Sequence, residues 1–409
     1  MRILIVSQYF WPEGFSINAV AKNLVEKGIE VEVLTCKPNY PSGKTFPGYR
    51  AWDCSQESHQ GVLIHRIPFL PRGNSGWRLA LNYLSFILSG LIFAPWILRK
   101  RQYDVIFIYA PSPILQAIPA IFLGWLKRCP VVLWVQDLWP ESLSATGHVQ
   151  NRLVLKLVER VVRYIYRHTD LLLVQSRAFE AAVRRLASGT PVVYHPNSVD
   201  DTFAMPVTDE PPSVEGLDNG FSIMFAGNIG MAQGVGVIVK AATLLRENAD
   251  IHFVVLGDGN SRGWMLNEAQ QQGLTNLHLP GRFPMETMPG FMQKASALLV
   301  TLADRPIFAA TVPNKVQAYM AAGRPIIACL NGEGARLVTE AGAGLATPAE
   351  DAKALAETIL RLYRLSPGAR EKMGENGRRY YKEHFDHEYL VDKLIGHLQA
   401  MSSGGKDIQ

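Results

Sequence analysis

Short runs of β-branched and other apolar residues alternate with longer helical patterns along almost the whole chain. Each run is apolar at consecutive positions, which is typical of a strand buried on both faces of a parallel sheet. In the first half, these runs are 2–6, 31–35, 62–67, 104–109, 130–135, 171–175 and 191–195. The alternation predicts an α/β fold in which helices cover both faces of the sheet.

The stretch 201–220, DTFAMPVTDEPPSVEGLDNG, interrupts this pattern. Its prolines and acidic residues show little periodicity, so we interpret it as a linker outside any core. Strand-like runs then resume at 221–226, 251–257, 276–281, 297–302 and 325–330. A chain of 409 residues exceeds the size of one ordinary core. We therefore predict two doubly wound domains, 1–200 and 201–385, facing across a cleft, with the helical segment 386–409 free to pack back on the first.

The balance of charge limits the classes of partner. The chain carries a net charge of +5, divided as +9 over residues 1–200 and −4 over residues 201–409. A basic first half favours an anionic surface or an acidic substrate on that side. Because the sequence has no basic helix and no motif combining aromatic and basic residues, nucleic acid is not an expected partner.

The cysteines and the N-terminus bear on the cellular compartment. Cys36, Cys54, Cys129 and Cys329 have neither CxxC spacing nor metal-type spacing, so we expect reduced thiols in a cytoplasmic protein. The opening run MRILIVSQYF is too short in its apolar part for a signal peptide and predicts a first strand.

The segment 79–98, LALNYLSFILSGLIFAPWIL, has no charged residue and is long enough to span a bilayer. A spanning helix would separate strands that belong to one sheet, which argues against a span. A buried crossover helix and a helix in the membrane interface both remain open. Asn82, Ser85 and Ser89 share one helical face, and basic residues flank the segment within 72–101.

Three glycine-rich turns follow strand-like runs in the second half: FAGNIGMAQGVG at 225–236, GDG at 257–259 and GEG at 332–334. The carboxyl edge of a doubly wound sheet is where such folds bind ligands. A helix N-terminus can hold a phosphate through backbone N–H groups alone, because these groups are unpaired and lie at the positive end of the helix dipole. The three turns therefore predict a nucleotide site in the second domain.

The same motifs carry a family resemblance. FAGNIGMAQG, VVLGDG, LPGRF, VPNKVQAYMAAGRPIIA and GEGA resemble, in this order, the C-terminal domain of GT-B glycosyltransferases of family 4. PEGFSINAVAKNLVEKGIEVEVLT, VQDLWPES and HPNSVD resemble the acceptor-side half of that family. The chain is similar in particular to bacterial N-acetylfucosamine (L-FucNAc) transferases of O-antigen and capsule assembly.

The resemblance implies a retaining, metal-independent glycosyltransferase with no cofactor beyond its UDP-sugar substrate. It implies transfer to an undecaprenyl-pyrophosphate-linked glycan, by a peripheral protein on the inner face of the cytoplasmic membrane. A related isomerase, of the UDP-N-acetylglucosamine 2-epimerase kind, is one alternative. A non-catalytic partner in a polysaccharide assembly complex is the other.

The residues expected to bind the donor lie in the second half. They are Gly227, Asn228, Gly230, Gln233, Gly257, Asp258, Gly259, Arg282, Arg305, Asn314, Lys315, Gly332, Glu333 and Gly334. By the resemblance, Asp258 and Arg282 border the base and the ribose. Glu333 is either a ligand of donor-sugar hydroxyls or an acid at a helix N-terminus.

The chain departs from the family at four of its functional positions. Asn228 and Gln233 replace an arginine and a lysine of the first glycine turn, and Ala310 and Ala318 replace two glutamates. We expect Lys315, and secondarily Arg305, to supply the missing cation. Lys315 lies at the start of a helix, where the dipole disfavours a cation, and this placement favours a bound anion.

Three carboxylates are candidates for catalysis in the first half. Asp137 follows the run 130–135 and is a candidate to position an acceptor hydroxyl or take its proton. The alternative is that Asp137 or Ser142 caps the next helix. Glu141 is a candidate of the same kind. Glu13, in the first loop between strand and helix, is either an acceptor-side carboxylate or a charge at the helix N-terminus.

Overall fold

The computed structural model describes residues 1–40, 43–73, 76–145, 151–199, 203 and 210–404. The chain forms two compact units. One comprises Met1–Pro196 and Glu388–Gln409, and the other comprises Asn197–His387.

The first unit contains an eight-stranded sheet. Its strands are β1 (Arg2–Val6), β2 (Glu30–Thr35), β3 (Ser55–His59), β4 (Val62–Arg66), β5 (Val105–Ala110), β6 (Val131–Val135), β7 (Leu171–Val174) and β8 (Val192–Tyr194). The spatial order is β3-β4-β2-β1-β5-β6-β7-β8, and every neighbouring pair is parallel except β3 with β4.

Seven helices belong to the described residues of this unit. They are α1 (Ile17–Glu26), α2 (Gly76–Ile97), α3 (Ala117–Lys127), α4 (Glu141–Ala145), α5 (Arg152–Arg167), α6 (Phe179–Ala187) and the last helix of the chain, α15 (His387–Ser402). Helix α15 buries Val391, Leu394 and Leu398 in the same core cluster as residues of β1. The Lys27 ammonium of this unit lies 2.7 Å from the Asp392 carboxylate of α15.

The second unit contains a six-stranded parallel sheet. Its strands are β9 (Phe221–Ala226), β10 (Ile251–Leu256), β11 (Leu277–Gly281), β12 (Ala297–Thr301), β13 (Ile326–Cys329) and β14 (Gly344–Thr347). Their spatial order, β11-β10-β9-β12-β13-β14, reverses direction between β9 and β12. Such a reversal opens a crevice at the carboxyl ends of these two strands.

The helices of the second unit cover both faces of this sheet. They are α7 (Gly236–Leu244), α8 (Arg262–Gln271), α9 (Met288–Lys294), α10 (Pro306–Ala310), α11 (Asn314–Ala322), α12 (Glu333–Glu340), α13 (Ala352–Arg364) and α14 (Pro367–His384). Alternate residues of β9 enter two different core clusters: Ile223 and Phe225 belong to one, and Met224 and Ala226 belong to the other. The predicted fold, with two doubly wound parallel sheets, is confirmed.

The predicted linker is partly wrong. Val214 and Leu217 are buried in a core cluster of the second unit, so the described part of this stretch, residues 210–220, belongs to the folded unit. Two apolar residues three positions apart are enough to anchor a segment whose composition otherwise resembles a linker. Apart from Phe203, the remaining positions of the predicted linker lie outside the described residues.

Strands β3 and β14 were not predicted. Strand β3, SQESH, has no apolar residue; it lies at the edge of its sheet and pairs antiparallel with β4. A polar edge strand lacks the apolar run by which buried strands are recognised. Strand β14, GLAT, lies at the edge of the second sheet and offers only a short, weakly apolar run.

A buried histidine links the stability of the first unit to pH. His195 is 2% exposed and lies beside Trp134 and His397 of α15. Burial, with a smaller contribution from the neighbouring His397, lowers the pKa of His195 to about 3. Because the pKa of an unfolded histidine is about 6.5, the neutral form contributes its full stabilisation above that pH, and the contribution is lost as the pH falls toward 3.

We expect acidification from about pH 7 to pH 5 to lower the free energy of opening of α15 by up to about 1.4 kcal/mol per pH unit below 6.5. Amide hydrogen exchange, corrected for the intrinsic exchange rate at each pH, measures this free energy. The variant His195→Gln should reduce this dependence, because glutamine takes up no proton. The exposed His168 provides the control substitution, His168→Gln. An unchanged pH dependence in His195→Gln would contradict the assignment.

Candidate functional site

The first two glycine turns of the second unit pack directly against each other. Gly257 has a φ of +141°, and a Cβ atom at this position would lie 1.9 Å from the carbonyl oxygen of Gly227. The Ile229 N–H donates to the Asp258 carbonyl at 2.8 Å, and the Ser261 N–H donates to the Ile229 carbonyl at 2.9 Å. The loops that follow β9 and β10 therefore form one bonded structure.

The first turn is also bonded to the loop after β12. The Ala303 N–H donates to the Ala232 carbonyl at 3.0 Å, and the Thr301 hydroxyl donates to the Gln233 carbonyl at 2.5 Å. Because the strand order reverses between β9 and β12, these bonds place residues 227–234 beside the crevice expected to hold a ligand.

The backbone N–H groups of this turn are only partly available to a ligand. Gly227, Ile229, Gln233 and Gly234 donate to carbonyls of Leu256, Asp258, Gly230 and Met231, respectively. Fewer backbone N–H groups of 227–234 are therefore available to a diphosphate than expected from the sequence. Within the part of the chain that the structure describes, the N–H groups of Asn228, Gly230, Met231 and Ala232 make no such bond and are the donors left to a ligand.

Lys315 lies beneath the turn. Its Nζ donates to Gln233 Oε1 at 2.6 Å and lies 3.7 Å from the centroid of the Phe225 ring. A Cβ atom on Gly227, whose φ is +131°, would lie 2.9 Å from Lys315 Cε. Glycine at 227 therefore leaves room for the lysine side chain to reach the turn.

The charge of Lys315 is uncompensated. Burial lowers the pKa of the ammonium to about 7. Among the described residues, no carboxylate lies within ion-pair distance of it. A desolvated cation without a counter-ion is costly, and an anion bound at the turn would remove that cost. Lys315 is thus the cation that the structure brings to the glycine turn.

The other predicted cations are not at this position. Arg305 is exposed, begins α10 and donates to the Asp304 carbonyl at 3.4 Å. Arg282 is exposed in the loop after β11. The Asn314 side chain accepts a hydrogen bond from the Asn197 amide at 3.0 Å, which joins α11 to the first residue of the unit.

Asn228 of the first glycine turn and Asp258 of the second both lie beside Gly259. The Asp258 carboxylate is exposed and accepts from the Gly259 N–H at 2.8 Å. A Cβ atom at Gly259 would lie 2.6 Å from Asn228 Oδ1 and 2.5 Å from the Ile229 carbonyl. Gly230 also lies against the Asn228 amide. Polar side chains of both turns therefore meet at the same place.

Glu333, at the start of α12, already has a partner. Arg336 donates to both of its carboxylate oxygens, at 2.7 Å from Nη2 and 2.9 Å from Nε. This bidentate pair on one helix favours the interpretation of Glu333 as an acid at a helix N-terminus. Its neighbour Gly332 packs against α10, since a Cβ atom there would lie 2.0 Å from the Ala309 carbonyl. Gly334 is buried against Leu330.

Gln317 was missed from the sequence. It is fully buried in α11, and within the described structure neither side-chain amide atom has a hydrogen-bond partner. Buried amides are normally paired, so this one is available to a bound polar group. It is adjacent to Ala318, where the family has a glutamate. An amide within the otherwise apolar run after Lys315 is the sequence signal that could have identified it.

Asp137 has a strongly perturbed carboxyl group. It follows β6, accepts a hydrogen bond from the Ser142 hydroxyl and has its pKa raised by burial to about 6. Within the described residues, the nearby Gln136 side-chain N–H₂ and Trp139 indole N–H have no partner. These two buried donors, which sequence reasoning did not single out, lie in the same loop as Asp137.

The other two predicted carboxylates have different environments. Glu141 is partly exposed at the start of α4, and one of its oxygens lies 3.4 Å from the Arg185 guanidinium. Glu13 is buried and accepts from the N–H groups of Asn39 and Tyr40 at 2.7 and 2.6 Å. Burial raises its pKa. Glu13 therefore holds the turn after β2 through these two bonds.

Two family models match the two units in sequence. A glycosyl transferase 4-like domain matches residues 14–198, and a domain of the glycosyl transferases group 1 matches residues 220–364. The chain is a glycosyltransferase. The match of both units to glycosyl transferase domains sets aside the isomerase alternative.

Two proteins that are similar in sequence are also named as glycosyltransferases. The glycosyltransferase is 26% identical over 348 residues to WcaI of Escherichia coli (strain K12), named for glycosyl transfer in colanic acid biosynthesis, covering 79% of this chain and 82% of WcaI. It is 21% identical to the O-antigen chain mannosyltransferase C of Escherichia coli, covering 97% of each chain.

Two solved structures show the same fold. One is a trehalose-6-phosphate structure from E. coli bound with UDP-2-fluoro glucose, with a TM-score of 0.75 and 14% identity over the whole of both chains. The other is HepE of Anabaena in complex with UDP and glucose, with a TM-score of 0.68 and 14% identity, covering 98% of this chain and 100% of HepE. The glycosyltransferase therefore has the GT-B fold.

A glycine-to-alanine substitution, which adds one methyl group, tests the contact between the first and second glycine turns. We expect Gly257→Ala to destabilise the second unit by about 2–4 kcal/mol, because the added Cβ collides with the Gly227 carbonyl and the φ is unfavourable. Urea unfolding followed by circular dichroism measures this change. Gly263→Ala, in α8 with open space around the added atom, is the control and should stabilise by up to about 1 kcal/mol. Equal effects of the two substitutions would contradict the packing described.

Proposed function

We propose that this glycosyltransferase moves a sugar from a UDP-sugar to a lipid-linked glycan in bacterial surface polysaccharide biosynthesis. The uncompensated Lys315 ammonium beneath the glycine turn is the observation that carries the donor half of this proposal. A nucleoside diphosphate supplies the anion that such a site lacks. The structures of similar fold that contain UDP or a UDP-sugar support uridine as the nucleoside.

The proposed acceptor rests on different support. WcaI and the O-antigen mannosyltransferase, both similar in sequence to this chain, are named for surface polysaccharides. The motifs that resemble N-acetylfucosamine transferases favour an N-acetylated deoxyhexosamine as the sugar and an undecaprenyl-pyrophosphate-linked glycan as the acceptor. The same resemblance favours retention of configuration and metal independence, at the inner face of the cytoplasmic membrane.

The chain offers one set of groups that would stabilise the leaving diphosphate and one carboxylate that would orient the acceptor hydroxyl. Lys315 and the free N–H groups of Asn228 and Gly230 would stabilise the negative charge that grows on the leaving diphosphate. Because this charge is larger in the transition state than in the bound donor, the interaction accelerates the transfer as well as binding the donor. Asp137 would accept the hydrogen of the acceptor hydroxyl and orient it for attack.

Binding of UDP should be coupled to proton uptake by Lys315. In the free protein this group has a pKa of about 7, and a bound diphosphate would raise it. At about pH 8.5 we therefore expect uptake of up to about one proton on binding, and affinity that falls as the pH rises above 7. Calorimetric titration of UDP in buffers of different ionisation enthalpy measures this uptake.

Lys315→Met should weaken UDP binding about 10- to 100-fold, since a hydrogen bond to a charged group is worth about 1.5–3 kcal/mol, and should abolish the proton uptake. Lys240→Met, on an exposed lysine of α7, is the control. If UDP, GDP and ADP all fail to bind to the wild type, the turn is structural and the donor proposal is wrong. If UDP binds but no sugar is transferred to any lipid-linked acceptor, the non-catalytic alternative stands.

The pH dependence of transfer tests Asp137. If its carboxylate orients the acceptor, kcat/KM should fall below an apparent pKa of about 6, because the protonated acid cannot accept the hydroxyl hydrogen. The serine hydroxyl lowers the pKa of Asp137, so Ser142→Ala should raise that pKa. The fall in kcat/KM at acidic pH should then begin at a higher pH.

Asp137→Asn should lose most of the activity while retaining UDP affinity. The activity that remains should no longer fall at acidic pH. Glu26→Gln, at an exposed carboxylate at the end of α1 in the same unit, serves as the control. If kcat/KM of Asp137→Asn still falls at acidic pH as in the wild type, Asp137 does not orient the acceptor.

A further inference from the structure

Helix α2 is built with its polar face toward the protein. Asn82 is fully buried: its Oδ1 accepts from the Gln8 amide at 2.8 Å, and its Nδ2 donates to the Leu70 carbonyl at 2.6 Å. Ser85 accepts from the Leu70 N–H at 2.9 Å, and Ser89 is 7% exposed. The polar face predicted from Asn82, Ser85 and Ser89 is therefore the one that packs against the protein.

The opposite face of α2 is apolar and exposed. Its large side chains recur at spacings of three and four residues, which places them in one stripe along the helix. These residues, with their exposed fractions, are Trp77 (65%), Leu81 (41%), Leu84 (49%), Leu88 (59%), Ile92 (65%) and Trp96 (61%). Helices of water-soluble proteins place such residues inward. A contiguous exposed apolar stripe marks a surface that another phase or molecule covers.

The connections of α2 hold it along the first unit. It lies between β4 and β5, which belong to one sheet, and residues 98–104 separate its end from β5. The Lys127 ammonium donates to the carbonyls of Leu98 and Arg101 at 2.6 and 2.8 Å, which fixes the end of α2 to α3. Although α2 is long and apolar enough to cross a bilayer, a crossing would break these bonds and those of Asn82.

Basic residues lie at both ends of the stripe. Arg78 lies 5.9 Å from the Trp77 ring, and Arg99 lies 5.3 Å from the Trp96 ring. Arg99, Lys100 and Arg101 line a cleft of about 390 Å³ beside Trp96, and residues 76–103 contain no acidic residue. Tryptophan and arginine together are favoured where a membrane meets water, because the ring enters the apolar layer while the cation meets lipid phosphate.

We propose that the outer face of α2 docks on an anionic phospholipid bilayer, with the helix lying in the plane of the interface. Leu81, Leu84, Leu88 and Ile92 enter the apolar layer, and the cations at the two ends contact the head groups. This inference rests on the first unit alone. It stands or falls independently of the UDP proposal, because no nucleotide takes part in it.

The test is co-sedimentation of the full chain with vesicles. We expect binding to phosphatidylcholine vesicles that contain phosphatidylglycerol, and weaker binding to phosphatidylcholine alone or at high salt. Leu88→Glu/Ile92→Glu should reduce binding to the anionic vesicles at least about tenfold, because two charges replace exposed apolar side chains. Leu244→Glu/Leu266→Glu, with the same change on exposed leucines of α7 and α8, should bind as the wild type does.

The basic ends are tested separately. Arg99→Glu/Lys100→Glu should remove most of the preference for anionic vesicles, and Lys353→Glu/Lys372→Glu, with the same charge change on exposed lysines of the second unit, should not. All variants should retain the circular dichroism spectrum and the urea-unfolding midpoint of the wild type, which shows that they are folded without relying on UDP binding and keeps this test separate from that of the donor site.

Three results would overturn the proposal. The first is failure of the wild type to sediment with anionic vesicles. The second is a concentration-dependent dimer that Leu88→Glu/Ile92→Glu dissolves, without vesicle binding, because the stripe would then cover a second copy of the chain. The third is retention of the protein on membranes after an alkaline carbonate wash, which would indicate a spanning helix.

Discussion

Among the described residues, the ammonium of Lys315 has no counter-ion, and residues of β9 and of the first glycine turn surround it. Phe225 contacts it through its ring, Gln233 through an amide oxygen, and Gly227 leaves the space above it. A desolvated lysine of this kind is unfavourable in the empty protein, as its pKa of about 7 indicates. The family has cationic side chains within the turn itself. Here one cation, Lys315, reaches the turn from α11, and this would allow a turn with Asn228 and Gln233 to bind the proposed diphosphate.

The crevice around this lysine depends on the order of the parallel strands. Because β9 is paired with both β10 and β12, the loops after these three strands meet at one edge of the sheet. Gly257 allows the first two loops to touch, and the bond from Ala303 to Ala232 joins the third. The first unit repeats this principle with β1 between β2 and β5. Its perturbed carboxyl group, Asp137, follows β6, the next strand of that sheet.

The first unit departs from an ordinary soluble domain at α2. Polar groups of this helix are paired with the protein through Asn82 and Ser85, and its large apolar side chains are left outside. A lipid-linked acceptor stays at the membrane surface. A helix that lies in that surface would hold the protein beside the proposed acceptor, without a spanning segment. The two proposals are therefore consistent with each other while resting on different residues.

The sequence by itself determined the class of fold and most of the strands, because consecutive apolar residues can be buried only between two layers of helices. It also indicated Lys315 and the glycine turns, since a strand followed by glycines and a helix is a local pattern. The polar edge strand β3 and the anchoring of 210–220 by Val214 and Leu217 were missed, because neither has a local signal.

Tertiary structure alone decided which polar groups find partners. It paired Glu13 with the turn after β2, left Gln317 without a partner among the described residues, and turned Asn82 inward. The helical period places Asn82, Ser85 and Ser89 on one face but does not say which face meets the protein. That choice depends on hydrogen bonds to Gln8 and Leu70, which are far away in the sequence and become neighbours only when the sheet forms.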